Sequence, residues 1–267
     1  MRRLSMISRY VVRCLAFALC TFCFVARPAE SQEPVIAAAS DLKFALEDIA
    51  KAYQAETGKT VKLTMGSSGT FATQIRNGAP FQMFLSADEE FVQRLRADGF
   101  ARDDGVLYAI GRIVLMAPTG SNLQVDAELK GLGDALRAGK ITRFAIANPE
   151  HAPYGRRAEE ALRHAKLWEL VQPRLVLGEN ISQAAQFATS GSAQGGIIAL
   201  SLAMAPQMKD LGRYAVIPES WHEPLRQRMV LLKSADAATE AFYRYMQQPA
   251  ARAIMRRYGF ALPNEKG

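Results

Sequence analysis

The residues of this chain best placed to do chemistry are neutral hydrogen-bond donors at four turns. Ser40 follows the small apolar run Val35-Ile36-Ala37-Ala38-Ala39 and precedes an amphipathic segment. Ser68 sits in Gly66-Ser67-Ser68-Gly69, between a β-prone run and a short helical segment. Tyr154 follows Pro153, and Ile181 follows Asn180, each at the start of another helical segment. A helix start leaves first-turn amides without acceptors and carries about half a positive charge, so it suits an anion. Ser40 and Ser68 add hydroxyls. No Arg or Lys stands at any of the four tips. Neutral donors alone suit a fully deprotonated oxyanion, whereas phosphate near neutrality keeps a proton and wants an acceptor. A plainer reading exists for each residue. Ser is a preferred N-cap, Pro153-Tyr154-Gly155 is an ordinary helix entry, and Ile181 alone would not be chosen. Spacing does not establish that the four turns converge.

The elements that carry these turns alternate. Val35 to Ala39 reads as a buried strand. Leu42, Leu46, Ile49 and Tyr53 then recur at helical spacing until Gly58, with Ser40 as the expected N-cap. Strands are expected at 60–65, 81–85, 106–110 and 112–116, and helices at 70–77 and from the Asp88 cap to Leu95. Further on, strands are expected at 143–147, 175–177, 195–200, 214–217 and 227–232. Helices are expected at 129–136, 154–164, 181–189, 201–209 despite Pro206, 237–247 and 250–258. Strands alternating with helices imply an α/β fold with mostly parallel sheets, in which ligands sit beyond the carboxyl ends of strands. The Pro118 region and the region before Met229 are the expected crossings between two lobes.

Composition narrows the setting. Arg2, Arg3, Arg9 and Arg13 precede the apolar stretch Leu15 to Val25, and Ala29-Glu30-Ser31 offers small residues for cleavage. This pattern reads as a secretory signal peptide, residues 1–31. Cys20 and Cys23 lack the small residues that a lipobox needs before them. All three cysteines lie in that segment, so an exported chain would be held by its core without disulfides. The formal charge of +7 falls to +3 without residues 1–31. No basic block interleaved with aromatics appears, so no nucleic acid is expected.

Taken in order, the turn sequences resemble the periplasmic molybdate-binding protein family of bacterial ABC uptake systems. The strings are Ala-Ala-Ala-Ser-Asp-Leu (37–42), Gly-Ser-Ser-Gly-Thr-Phe-Ala-Thr-Gln-Ile-Arg-Asn-Gly-Ala-Pro (66–80) and Phe-Leu-Ser-Ala-Asp (84–88). Asn-Pro-Glu-His-Ala-Pro-Tyr-Gly (148–155), Gly-Glu-Asn-Ile-Ser-Gln-Ala (178–184) and the closing segment 241–260 complete the set. The resemblance implies a two-lobed type II periplasmic binding protein, each lobe a mostly parallel sheet flanked by helices, with the ligand cleft between them. Lobe 1 would comprise 32–117 and 229–267, and lobe 2 would comprise 118–228. Ser40 and Ser68 would donate hydroxyl and backbone hydrogen bonds to the oxyanion. Tyr154 and Ile181 would donate backbone N–H bonds, their side chains mattering little. The ligand would be molybdate and also tungstate, delivered by a periplasmic monomer to a membrane permease. No cofactor and no catalysis are implied.

Two departures from the family pattern stand out. Some members place a tyrosine on the anion from the strand matching 195–200, where this chain has Ile198-Ala199-Leu200-Ser201. The chain resembles a second branch that uses the residue after the first serine. That residue is Asp41, where the branch can have Asn. A carboxylate there repels a dianion, so Asp41 is expected to contribute only its backbone N–H and to turn its side chain to solvent, favouring the helix dipole. The sharper reading has Asp41 accept a proton from an oxyanion such as phosphate.

Rival functions are a sulfate- or phosphate-binding protein and, remotely, a serine hydrolase using His151, His164 or His222 as base. Gly-Ser-Ser-Gly does not match the nucleophile-elbow motif. No cysteine or histidine pair at ligand spacing points to a zinc or copper site. Trp168, Trp221 and the Phe242/Tyr245/Met246 stripe read as packing. Arg156-Arg157 reads as a solvated face, with Arg156 able to steer anions over long range.

Overall fold

A computed structural model describes residues 33–263; the expected signal peptide lies outside the described residues. The chain from Glu33 onward is one compact unit. It contains two five-stranded sheets. In chain order the first sheet begins with β1 (Val35–Ala39), β2 (Lys62–Gly66), β3 (Met83–Ser86) and β4 (Val106–Gly111). β5 (Ile113–Pro118), β6 (Phe144–Ala147), β7 (Leu175–Gly178), β8 (Gly196–Ala199) and β9 (Gly212–Val216) build the second, and β10 (Leu225–Leu231) returns to the first. The spatial orders are β2-β1-β3-β10-β4 and β7-β6-β8-β5-β9. In each sheet four strands run one way. β10 is reversed against β3 and β4, and β5 is reversed against β8 and β9. The α/β expectation with mostly parallel sheets therefore holds.

The crossings fall earlier than the sequence suggested. β5 pairs with β8 and β9, so the outward crossing is at Arg112 and not near Pro118. The return is complete by Leu225, where β10 pairs with Gly111. The apolar run 113–117 reads equally well as either sheet's strand, because every residue in it is buried. Only its partners decide its membership.

Helices α1 (Lys43–Thr57), α2 (Ser68–Arg76), α3 (Glu89–Ala97), α9 (Ala237–Tyr245) and α10 (Pro249–Arg257) flank the first sheet. α4 (Lys130–Arg137), α5 (Pro153–His164), α6 (Trp168–Val171), α7 (Ile181–Thr189) and α8 (Leu200–Ala203) flank the second. The expected helix over 201–209 ends at Ala203 because Pro206 lacks the donor it would need, and a 3-10 turn at Pro206–Met208 follows. Gly58 closes α1 in the left-handed region at φ 69°, as its position suggested. Phe242, Tyr245 and Met246 are buried together, and Tyr53 packs on the first two rings. One hydrophobic core runs through both sheets, and a smaller cluster around Phe71, Phe84 and Phe91 covers the other face of the first sheet. The helices α1, α2, α5 and α7 all begin at carboxyl ends of parallel strands, the place such sheets reserve for ligands.

Candidate functional site

Ser40 opens a 3-10 turn, Ser40–Leu42, placed between β1 and α1. Ala39 takes the extended cap conformation (φ −57°, ψ 135°), so Ser40 is not the expected N-cap. Its hydroxyl reaches across to the second lobe instead. It donates to Asn180 Oδ1 at 3.0 Å and accepts from the Ser182 N–H at 3.2 Å. Ser182 Oγ in turn donates to the Ser40 carbonyl at 2.7 Å. Ser68 is the first residue of α2, with Ser67 holding the extended cap position. Its hydroxyl accepts from the Ala87 N–H at 3.0 Å, which ties β3 to α2. Among the described residues no acceptor takes the Ser68 hydroxyl proton, which leaves that donor available.

The other two turns come from the second sheet. Asn180 caps α7, its Oδ1 accepting the Gln183 N–H at 3.1 Å. Ile181 is then the first residue of that helix, and Tyr154 is the second of α5 after Pro153. Their amides have no acceptor inside their own helices. Ser40, Asp41, Ser68, Tyr154 and Ile181 all line one small cavity of about 10 Å³. That space holds about one water. A tetrahedral oxyanion is larger than this space, so the cavity must widen to take one.

Asp41 departs from expectation. It is only 1% exposed, so its side chain does not face solvent. Oδ2 accepts from the Tyr154 hydroxyl at 2.9 Å and from Gln227 Nε2 at 2.7 Å. Gln227 Nε2 also donates to the Tyr154 oxygen at 3.0 Å, and Tyr108 donates to Gln227 Oε1 at 2.8 Å. Ser201 Oγ donates to the Asp41 carbonyl at 2.8 Å. Among the described residues Oδ1 is buried with no hydrogen-bond partner. Burial raises the carboxyl from 3.8 to about 7, against the lowering effect of its neutral donors. Burial and the nearby Asp41 charge push the Tyr154 phenol well above its ordinary value, so it stays a donor. The Tyr154 side chain therefore has a structural part beyond its backbone N–H, bonded to Asp41 and Gln227. The phenol is buried and bonded, and a Cβ on Gly111 would lie 2.3 Å from its oxygen.

The cleft rim is drawn together at two further places. Gly69 donates its N–H to the His151 carbonyl at 3.0 Å, and Ser67 Oγ donates to the same oxygen at 2.5 Å. A Cβ on Gly69 would lie 2.6 Å from that carbonyl, so the approach requires glycine. On another side Arg157, its side chain 11% exposed, pairs with Asp88 at 3.3 Å and with Glu160. Arg156 lies 3.6 Å from Glu90 and over the Phe91 ring. The Arg156-Arg157 pair is thus a half-buried bridge from α5 to α3, and not a solvated face. Trp168 is buried, and Trp221 stacks on His164 at 4.6 Å between centroids. As for the hydrolase alternative, His151 Nδ1 lies 3.1 Å from Ser67 Oγ, whose proton is directed to the His151 carbonyl.

Sequence reasoning found the four turns and missed Asn180 Oδ1, Ser182, Tyr108 and Gln227 as their partners. Ser182 lay inside a quoted string, yet its hydroxyl is an ordinary first-turn feature. Gln227 sits in a β-strand with nothing local to single it out; its role follows from total burial.

Comparison with known proteins places this geometry in context. The family model for bacterial extracellular solute-binding proteins matches residues 34–261. A molybdate-binding protein of Rhodobacter capsulatus is 34% identical over 93% of this chain and 96% of its own. A molybdate-binding protein of Azotobacter vinelandii is 32% identical over 88% of this chain and 92% of its own. The solved periplasmic molybdate-binding protein of Azotobacter vinelandii superposes with a TM-score of 0.79 at 34% identity, covering 87% of this chain and all of that one. A sulfate-binding protein of Mycobacterium tuberculosis shares the fold at 15% identity, with a TM-score of 0.72 over 87% of each chain.

Proposed function

The chain belongs to the bacterial extracellular solute-binding protein family, and from that premise we propose that it captures molybdate in the periplasm for an ABC importer. One observation carries the reading. Two hydroxyl-bearing turns of the first lobe and two helix N-termini of the second line a single cavity. The name borne by its relatives of about one-third identity points the same way.

The lobes are residues 33–111 with 225–263, and 113–217, linked at Arg112 and at 218–224. The anion enters with the lobes apart. Ser68 donates its hydroxyl proton, and Ser40 redirects its own from Asn180 Oδ1 to an anion oxygen. The amides of Tyr154 and Ile181 donate from the opposite side. Closure then removes water, which strengthens each of these charge-assisted hydrogen bonds. Tungstate, nearly identical in size and charge, binds by the same donors, and the ligand is not chemically changed. Sulfate, with the same charge and a smaller radius, leaves the opposed donors too far apart to close on it equally well. The closed protein docks as a monomer on a membrane permease.

Calorimetric titration of the exported protein with molybdate, tungstate, sulfate and phosphate tests this reading. Tight binding of the first two is expected. Tight binding of sulfate or phosphate with no molybdate heat would contradict it.

A further inference from the structure

The side chain of Tyr154 joins the two halves of the pocket in a way that the capture of an anion by backbone amides does not require. Tyr154 belongs to α5 in the second lobe, while Asp41, Tyr108 and Gln227 belong to the first. Its hydroxyl donates to Asp41 at 2.9 Å and accepts from Gln227 at 3.0 Å. Gln227 is fully buried on β10, immediately after the return crossing, and Tyr108 fixes its amide from β4. β10 and β4 are irregular at this point, with a register shift between Gln227 and Arg228. The same two residues that hold the tether also border the anion cavity, Asp41 next to Ser40 and Tyr154 on the helix N-terminus facing it.

We propose that Tyr154 is a positioning residue whose phenol, through Asp41 and Gln227, fixes the spacing between the two donor sets and so sets how long and how selectively an oxyanion is held. This rests on the reading of the cavity as an oxyanion site. In this role the phenol acts through Asp41 and Gln227 and not on the anion itself. It holds the first turn of α5 at a set distance from the turn containing Ser40. A buried hydrogen bond that forms only when the lobes meet slows their separation, so its loss appears in the dissociation rate. A fixed spacing also discriminates by radius, because a smaller anion cannot draw the two donor sets closer. Without the tether the spacing relaxes toward whichever anion is present.

The test compares the wild-type protein with Tyr154→Phe and Gln227→Met. The phenylalanine keeps the ring in its buried place, and the methionine keeps the length of the side chain at 227. Stopped-flow fluorescence with molybdate reads the rates, and calorimetry with molybdate and sulfate reads the affinity ratio. Both variants are expected to release molybdate about tenfold faster at an unchanged association rate, with a smaller molybdate-to-sulfate ratio. A general loss of stability would weaken both anions alike and leave the ratio in place. A second readout needs no anion. Spin labels at Lys59→Cys and Lys140→Cys, both at exposed positions on opposite lobes, report the interlobe distance in the ligand-free protein. The tether predicts that Tyr154→Phe lengthens that distance distribution. Unchanged dissociation rate and unchanged distances in both variants would overturn the proposal. Failure of wild-type protein to bind any oxyanion would overturn the oxyanion-site reading, and with it the role in selectivity, while the distance measurement would still judge the tether.

Discussion

Tyr154 Oη lies 2.9 Å from Asp41 Oδ2, a hydrogen bond between residues 113 positions apart that closes one end of the cleft. It brings a carboxyl into a cavity whose other donors are all neutral, and it explains why that carboxyl can be buried at all. Gln227 and Tyr154 both serve Oδ2, whereas among the described residues Oδ1 has no hydrogen-bond partner. A half-satisfied buried carboxyl is more stable with its proton than without it.

The pH dependence of stability follows from that proton. Asp41 titrates near 3.8 in the unfolded chain and near 7 in the folded one. Between those values the unfolded state releases the proton and the folded state keeps it, so stability falls as pH rises from about 4 to 7 and is level above. The rise from 3.8 to about 7 corresponds to roughly 4 kcal/mol. Asp41→Asn removes this dependence. Urea unfolding of both proteins at pH 4.5 and pH 8, values set roughly by that window, should show the variant gaining on the wild type at the higher pH. A difference that does not change with pH would show that Asp41 ionises freely in the folded protein.

Ser68 carries a hydroxyl proton that no acceptor takes among the described residues. Ser68→Ala should weaken molybdate binding by roughly 1.5–3 kcal/mol, the range for a hydrogen bond to a charged group. The substitution also leaves the Ala87 N–H without its acceptor, so a small stability loss accompanies it. Ser40→Ala should act in the same direction. Calorimetry together with thermal melting separates the two effects. An unchanged affinity would place the anion away from the start of α2.

Gly69 tests closure from the rim. A methyl group there would sit 2.6 Å from the His151 carbonyl of the opposite lobe. Its backbone is helical, so alanine costs α2 nothing by propensity. Gly69→Ala should therefore hold the lobes apart while leaving each lobe intact. Molybdate affinity should fall by about tenfold or more, 1.4 kcal/mol per decade, with the melting temperature of the ligand-free protein little changed. Equal losses in melting temperature and affinity would point to misfolding of α2 instead.

How much of this was legible in the sequence varies with distance along the chain. The strand-to-helix turns at Ser40, Ser68, Pro153 and Asn180 are local patterns, and each was visible. Their convergence was not, since nothing local states that β1 and β7 end beside one another across two lobes. The capping role expected of Ser40 failed on one backbone angle. The residue before it took the extended cap conformation, and this freed the hydroxyl for Asn180. Asp41 looked like a dipole-favouring surface residue because its first-turn position fits that role. What buries it are Tyr154, Ser201 and Gln227, 113, 160 and 186 residues away. Gly69 carries no local signal of its use, which is a close approach to His151.

Opposed neutral donors at one cavity are proposed to hold a molybdate-sized, fully deprotonated oxyanion. Competition calorimetry decides it: the protein in excess sulfate is titrated with molybdate at neutral pH. A full one-to-one molybdate isotherm, little affected by the sulfate, is expected, with tungstate behaving alike. Displacement of bound molybdate by equimolar sulfate or phosphate would contradict it.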